Sequence, residues 1–418
     1  MSKPWRNRGL WGRTGAALMA AVLGGTAALT HTGVAFAGPK NPLAAEIQPF
    51  LDAVTESGVP GSYVQVRRDG KTFDGASGVA FTDTGAPARP DSRHRIGSVT
   101  KTFVSTTVLQ LVGERRLSLD TSVDELLPRF DLNPAITVRQ LLNHTSGIGN
   151  YTSALNSLQV VEEWQTRTFT PDELVRLGQS FPDTGAPGEL LSYSNTNYIL
   201  AGLIIEKVTG NDVEKEISRR ILRPLGLRDT YFPGRDPHIR GPHAGAYVAV
   251  PDEQTGEITL RDFSVYNMTW GWTAGEMIST MDDLNDFYRA LVTGKLLRPA
   301  QQKALLETVP WFPEQPDVLR YGLGIYALQL PCGTFWGHDG GVIGQVTQVL
   351  TSADGRTQFA YGMNFGLNFY PDPAIQEAFS NLIVAGLCGP QAGAKADQLR
   401  AAGVAGIPLL PSAVQIKN

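Results

Sequence analysis

The chain has 418 residues, 36 of them basic and 40 acidic, for a formal net charge of −4. That balance argues against nucleic acid as a partner, and two cysteines give neither the number nor the spacing of zinc ligands. Beyond the N-terminal segment, no stretch is long and apolar enough to span a bilayer. The N-terminal segment itself carries Lys3, Arg6, Arg8 and Arg13 with no acid, then an uncharged run from Thr14 to Val34 that ends in Ala35-Phe36-Ala37. This predicts a secretory signal peptide over residues 1–37 and a secreted product. Gly, Thr and His31 dilute the apolar run and no basic stop-transfer cluster follows, so a membrane anchor is the weaker reading. Losing the leader leaves 32 basic against 40 acidic residues. Cys332 and Cys388 would then enter an oxidising compartment, where they either pair or stay as two buried thiols.

The mature chain begins with a predicted helix, Leu43 to Val54, followed by a strand from Ser62 to Arg68, a turn at Asp69-Gly70 and a second strand from Lys71. Next comes Ser98-Val99-Thr100-Lys101. Val99, Phe103, Val104, Val108, Leu111 and Val112 recur at helical spacing, so Ser98 and Lys101 share one face at the start of a helix. A hydroxyl with an amine one turn away is a nucleophile with its own proton acceptor. A lone serine–lysine pair also arises by chance and needs companions.

In the middle of the chain, Thr170-Pro171-Asp172-Glu173 has the pattern of a capping box, and Asn195 to Val208 reads as a helix closed by Gly210. Tyr193-Ser194-Asn195 stands where the Pro187-Gly188 loop meets that helix. A phenol beside Lys101 can relay protons, and the Asn195 amide can orient the lysine and a substrate carbonyl. The plainer alternative is that Asn195 caps the helix while Tyr193 packs. From Tyr321 the pattern turns to strands: Tyr321 to Leu328, Thr334 to His338, Gln345 to Thr351 and Thr357 to Asn364. His338-Asp339-Gly340-Gly341 sits at the end of one of them. Paired glycines admit a close backbone approach and free an N–H for an oxyanion, although Asp-Gly alone suits a hairpin turn. Strands at both ends with helices between predict an α+β fold, with one antiparallel sheet built from both chain ends and flanked by helices. A mostly helical region over about 90 to 300 would lie beside it, with the site in the cleft between. Residues 38–389 are read as one catalytic domain and 390–418, rich in Ala, Gly and Pro, as a peripheral tail.

In chain order the three motifs are Ser98-x-x-Lys101, Tyr193-x-Asn195 and His338-x-Gly340. With Arg95-Ile96-Gly97, Thr137 to Gly147 (Thr-Val-Arg-Gln-Leu-Leu-Asn-His-Thr-Ser-Gly) and Cys332-Gly333, they make the chain resemble the class C β-lactamase and penicillin-binding superfamily. The secreted serine DD-peptidases, or D-alanyl-D-alanine carboxypeptidases, are the members it is most similar to. The resemblance implies a β-lactamase/transpeptidase-like fold and an acyl-enzyme on Ser98. Lys101 and Tyr193 would share the proton transfers, with the base unassigned between them. It further implies an oxyanion site at the amides of Ser98 and Gly341, His338 as a cation or donor toward Tyr193 or the substrate, and a Cys332–Cys388 disulfide. Trp270 aligns with an aromatic cleft residue of the family, and a core role for it is equally open. No cofactor and no metal is implied. The expected partners are small peptide, ester or β-lactam substrates, peptidoglycan stem peptides among them, of a monomer with no nucleic acid and no stable membrane anchor.

The chain departs from the family pattern at two places. The carboxypeptidases place an arginine on the strand before the cysteine and threonines around His-x-Gly, to hold a terminal carboxylate. Here the strand reads Tyr326-Ala327-Leu328, and Asp339 and Gly341 flank Gly340. An acid at 339 is expected to repel a carboxylate. An esterase or a D-amino-acid amidase of the same fold is therefore the alternative, with β-lactamase activity a weaker one.

Overall fold

Helix α1 (Pro42–Glu56) starts where the Asn41 side chain accepts from the Leu43 amide and where Pro42 has no donor to leave unpaired. Its Leu43, Ile47, Leu51 and Val54 fall on one stripe and are buried. Strands β1 (Gly61–Arg68) and β2 (Lys71–Phe81) follow as a hairpin. Asp69 and Gly70 both take positive φ there, 55° and 72°, which a two-residue turn of matching twist demands. The computed structural model describes residues 41–251, 255, 258–366 and 372–389. The expected leader at 1–37 and tail at 390–418 lie outside them.

Near the other end, β3 (Tyr326–Leu330), β4 (Gly333–Val342), β5 (Gln345–Ser352) and β6 (Gln358–Met363) run as an antiparallel meander. Strand β6 pairs with β1, setting Tyr63 opposite Gly362, so the two ends close one sheet. Among the described residues that sheet has nine strands, with β2-β1-β6-β5-β4-β3 at its centre. Ala86–Pro87 lies beyond β2, and Leu319–Tyr321 and Val309–Pro310 lie beyond β3.

Between the sheet halves the chain is mostly helical, and two helices carry the site: α2 (Thr100–Gly113) and α3 (Thr196–Thr209). Phe103, Val104 and Val108 of α2, Leu200 and Ile204 of α3 and Val349 of β5 share one core. The last helix, α4 (Pro373–Cys388), shares the other core with α1: Leu51, Phe379, Leu382 and Ile383 close over Val64, Phe359 and Tyr361. Each such fully buried side chain contributes about 1.5–3 kcal/mol. Thus α2 and α3 pack on one face of the sheet while α1 and α4 cover the other, which fixes the side chains that α2 and α3 present. Cys332, in the turn between β3 and β4, is bonded to Cys388 at the end of α4, with Cα atoms 5.5 Å apart.

Two strand expectations change. The run from Tyr321 to Leu328 is not one strand, because Gly324 takes φ +77° and folds Leu319–Tyr321 back antiparallel to β3, with Tyr321 opposite Tyr326. His338-Asp339-Gly340-Gly341, expected at the end of a strand with a hairpin turn as the alternative, is at neither. It lies inside β4, with Asp339 opposite Gln348 and Gly340 opposite Thr347, and the turn comes later at Gly344, φ +73°.

Candidate active site

Gly97 takes φ +53°, and a β-carbon there would stand 2.9 Å from the Gly341 amide nitrogen. A β-carbon on Gly340 would meet the Ile96 carbonyl oxygen at 2.0 Å and the Ser98 nitrogen at 3.1 Å. The turn before α2 and strand β4 therefore touch backbone to backbone, which only glycines allow. That contact brings the amides of Ser98 and Gly341 side by side. Ser98 sits in the tight turn Gly97–Val99, 5% exposed, and both it and Gly341 line one small cavity.

One helical turn on, Lys101 is wholly buried. Its Nζ lies 2.9 Å from Ser98 Oγ, 2.7 Å from Asn195 Oδ1 and 2.6 Å from the Ala274 carbonyl. Burial pushes the ammonium well below its usual value, and the buried carboxyl of Asp339 opposes that shift only in part. The Asn195 side chain makes no bond to the start of α3, so it is not a cap. It donates from Nδ2 to Thr152 Oγ1 at 2.9 Å, and the Thr152 hydroxyl donates in turn to Asn150 Oδ1 at 3.0 Å. This chain of donors fixes which end of the Asn195 amide faces the lysine. Asn150, Thr152 and Ala274 were not singled out in the sequence. Two act through position and one through its backbone, and no motif marks them.

The Tyr193 ring is half-buried, with Lys101 Nζ 5.0 Å from its centroid. Beneath it lies His144 at 4.1 Å, and Trp311 and Tyr321 stand at 5.8 Å and 6.3 Å. His144 also accepts the Ser194 amide on Nδ1 at 3.2 Å, while its carbonyl accepts the Ser192 amide at 2.8 Å. The Asn143–Gly147 turn thus clamps the segment that bears Tyr193. Trp270 lines the cavity beside Ser98 and packs against Trp164 at 6.1 Å.

His338 and Asp339 differ from expectation. The His338 ring is wholly buried 6.5 Å from Tyr193. Its Nδ1 donates to the Asp339 carbonyl at 2.5 Å and its Nε2 accepts from the Tyr321 hydroxyl at 2.8 Å. Burial first, and the Lys101 charge second, lower its pKa to about 3 and outweigh the Asp339 carboxyl oxygen 3.7 Å from Nδ1, so the ring is neutral and engaged at both nitrogens. Asp339 is also wholly buried and is not among the residues that line the cavity at Ser98, although its carboxyl acts on Lys101. Gly340 packs on the turn and Gly341 alone of the pair lines the cavity.

A protein-family model described as Beta-lactamase matches residues 43–373. Esterase EstB from Burkholderia gladioli is 33% identical over 235 residues, 53% of this chain and 58% of EstB. Penicillin-binding protein 4 from Amycolatopsis lactamdurans is 35% identical over 190 residues, 44% of this chain and 48% of that protein. The matched segments thus span about half the length of these curated relatives. Among solved structures, a D-stereospecific amidohydrolase from Streptomyces sp. superposes with a TM-score of 0.73 at 36% identity, covering 82% of this chain and 98% of that one.

Proposed function

We propose that this chain, which belongs to the β-lactamase family of serine hydrolases, cleaves esters or D-amino-acid amides outside the cell through an acyl-enzyme on Ser98. The observation that carries the reading is the contact set of Lys101 Nζ. Asn195 Oδ1 and the Ala274 carbonyl can only accept, so they take both hydrogens of a neutral amine and leave its lone pair to the Ser98 hydroxyl. Burial favours that neutral amine. Lys101 then accepts the Ser98 proton as Oγ bonds to the substrate carbonyl carbon. The oxyanion forms between the amides of Ser98 and Gly341, where preorganised donors lower a barrier by about 3–4 kcal/mol each. Tyr193 passes a proton to the leaving oxygen or nitrogen as its bond to the acyl carbon breaks. Water, giving up its proton by the reverse route, then releases the acid.

Two features favour an ester or amide over a peptide with a free terminal carboxylate. His338 is neutral with both ring nitrogens engaged, so it offers a carboxylate neither charge nor donor. The likeness over nearly the full length of a D-stereospecific amidohydrolase points the same way. A D-alanyl-D-alanine carboxypeptidase that binds β-lactams is the second reading, supported by the likeness to penicillin-binding protein 4.

A panel of D- and L-alaninamide, a nitrophenyl ester, a D-Ala-D-Ala peptide and a penicillin tests this, read by product release and intact mass. The ester and the D-amide are expected to turn over with an acyl mass on Ser98, and Ser98→Ala to abolish both. Release of D-Ala from the peptide without ester or amide turnover would replace the reading with the carboxypeptidase. Export is tested on the same preparation, since a chain recovered from culture medium is expected to begin at Gly38.

A further inference from the structure

The residue that protonates a leaving group must lie against it, so the surface that continues outward from Tyr193 is the leaving-group side of the site. This step rests on the proton-donor role proposed above. Around the Tyr193 ring, His144 closes one face at 4.1 Å and Lys101 Nζ stands at 5.0 Å. Tyr321 and His338, both wholly buried, close the inner edge. The ring neighbour that remains partly open is Trp311, half-buried at 5.8 Å from Tyr193 and 5.5 Å from Tyr321. Leu191 and Phe312 are likewise half-buried beside the same core, and Leu190 is 45% exposed.

The cations near this wall, Arg320 and Lys101, are occupied elsewhere. Arg320 neighbours Tyr321, but successive strand residues point to opposite faces. Its guanidinium is spent on Thr308 Oγ1 at 2.8 Å and on the Thr308 and Pro316 carbonyls at 2.9 Å. Lys101 is committed to Ser98, Asn195 and Ala274. The leaving-group side is therefore an aromatic wall without a cation.

We infer that Trp311 forms the floor of a leaving-group subsite selective for aromatic or bulky apolar alcohols and amines that carry no carboxylate. In the acylation step the bond from Ser98 Oγ to the acyl carbon forms and the bond to the leaving oxygen breaks. Benzyl alcohol, for example, departs with the proton from Tyr193 while its ring lies on Trp311.

The test compares methyl and benzyl esters of D-alanine, which share one acyl group, together with D-alanyl-D-phenylalanine as free acid and as C-terminal amide. For the wild type, kcat/KM is expected to favour benzyl over methyl by about tenfold, the range one apolar group controls in a pocket, and the amide over the free acid. Trp311→Ala is expected to lower the benzyl ester about tenfold more than the methyl ester, and Trp311→Phe to keep most of the preference. Equal loss on both esters, no wild-type preference, or preference for the free acid overturns the subsite. Failure to cleave either ester, with D-Ala still released from a D-Ala-D-Ala peptide, overturns the functional reading itself. Residual methyl-ester turnover reports that the variants are folded.

Discussion

Lys101 is held by three oxygens, and only one of them can give a proton back. That asymmetry distinguishes a base from a mere cation, because the Asn195 and Ala274 oxygens accept under any protonation state. Arginine keeps the charge but never offers a lone pair near neutral pH. Lys101→Arg is therefore expected to lower acylation by at least about a thousandfold, measured as the burst on a nitrophenyl ester; near-normal acylation would assign the base elsewhere. In the wild type the active form is the deprotonated amine, so activity should rise with pH through a value well below the ordinary 10.5 of lysine. His338, at about 3, contributes no limb near 6.5, and a limb there would contradict its neutral, engaged state. Ser98, Lys101, Tyr193 and Asn195 were legible in the sequence because each pair sits within one turn of chain. Thr152 and Ala274 were not, since a hydroxyl that sets an amide's orientation and a carbonyl that any residue supplies leave no composition signal. Asp339 misled for a related reason: charge is written in the sequence, but the direction in which a strand residue points is not.

At the level of elements, the site depends on strand β4 lying against the turn before α2. The β-carbon of an alanine at 340 would fall 2.0 Å from the Ile96 carbonyl oxygen, backbone that cannot swing aside as a side chain can. The strand must retreat, and with it the Gly341 amide leaves the Ser98 amide. Gly340→Ala is thus expected to cost about 1–3 kcal/mol of stability from overpacking. It should also cut kcat/KM a hundredfold or more, the scale of losing one oxyanion donor. An alanine variant that melts lower yet retains full kcat/KM would detach the β4 contact from catalysis. The hairpin at Asp69-Gly70, the capping box at Thr170 and Glu173 and the Gly210 stop, φ +73°, all follow from local residues and were readable. The break after Tyr321 was not. Tyr-Gly-Leu-Gly-Ile continues the apolar pattern of a strand, and only the φ of Gly324 turns it.

Across the whole molecule, the pairing of β1 with β6 joins residues some 300 positions apart, and His94 stands at that junction. Its Nε2 must carry the hydrogen, because the Val346 carbonyl of β5 at 3.0 Å can only accept, and its Nδ1 therefore accepts from the Tyr63 hydroxyl of β1. A second proton on Nδ1 would displace the Tyr63 hydroxyl as donor, and burial lowers the pKa of the ring to about 3. In the unfolded chain the same imidazole titrates near 6.5. Between about 6.5 and 3 the unfolded state therefore binds a proton that the folded state refuses. The contribution of His94 is fully present above 6.5 and is lost as pH falls, at about 1.4 kcal/mol per pH unit. His144 and His338 carry the same sign. Asp283, raised to about 6 by burial, carries the opposite sign, since it is protonated in the fold before it is in the unfolded chain. The total slope mixes these terms, and the difference between two proteins isolates one. Denaturant unfolding of wild type and His94→Gln between pH 7 and 4.5 should give curves that converge toward acid, the variant losing stability less steeply by up to about 1.4 kcal/mol per unit. Parallel curves would mean that His94 titrates alike in both states and that the seam between the chain ends is open to protons.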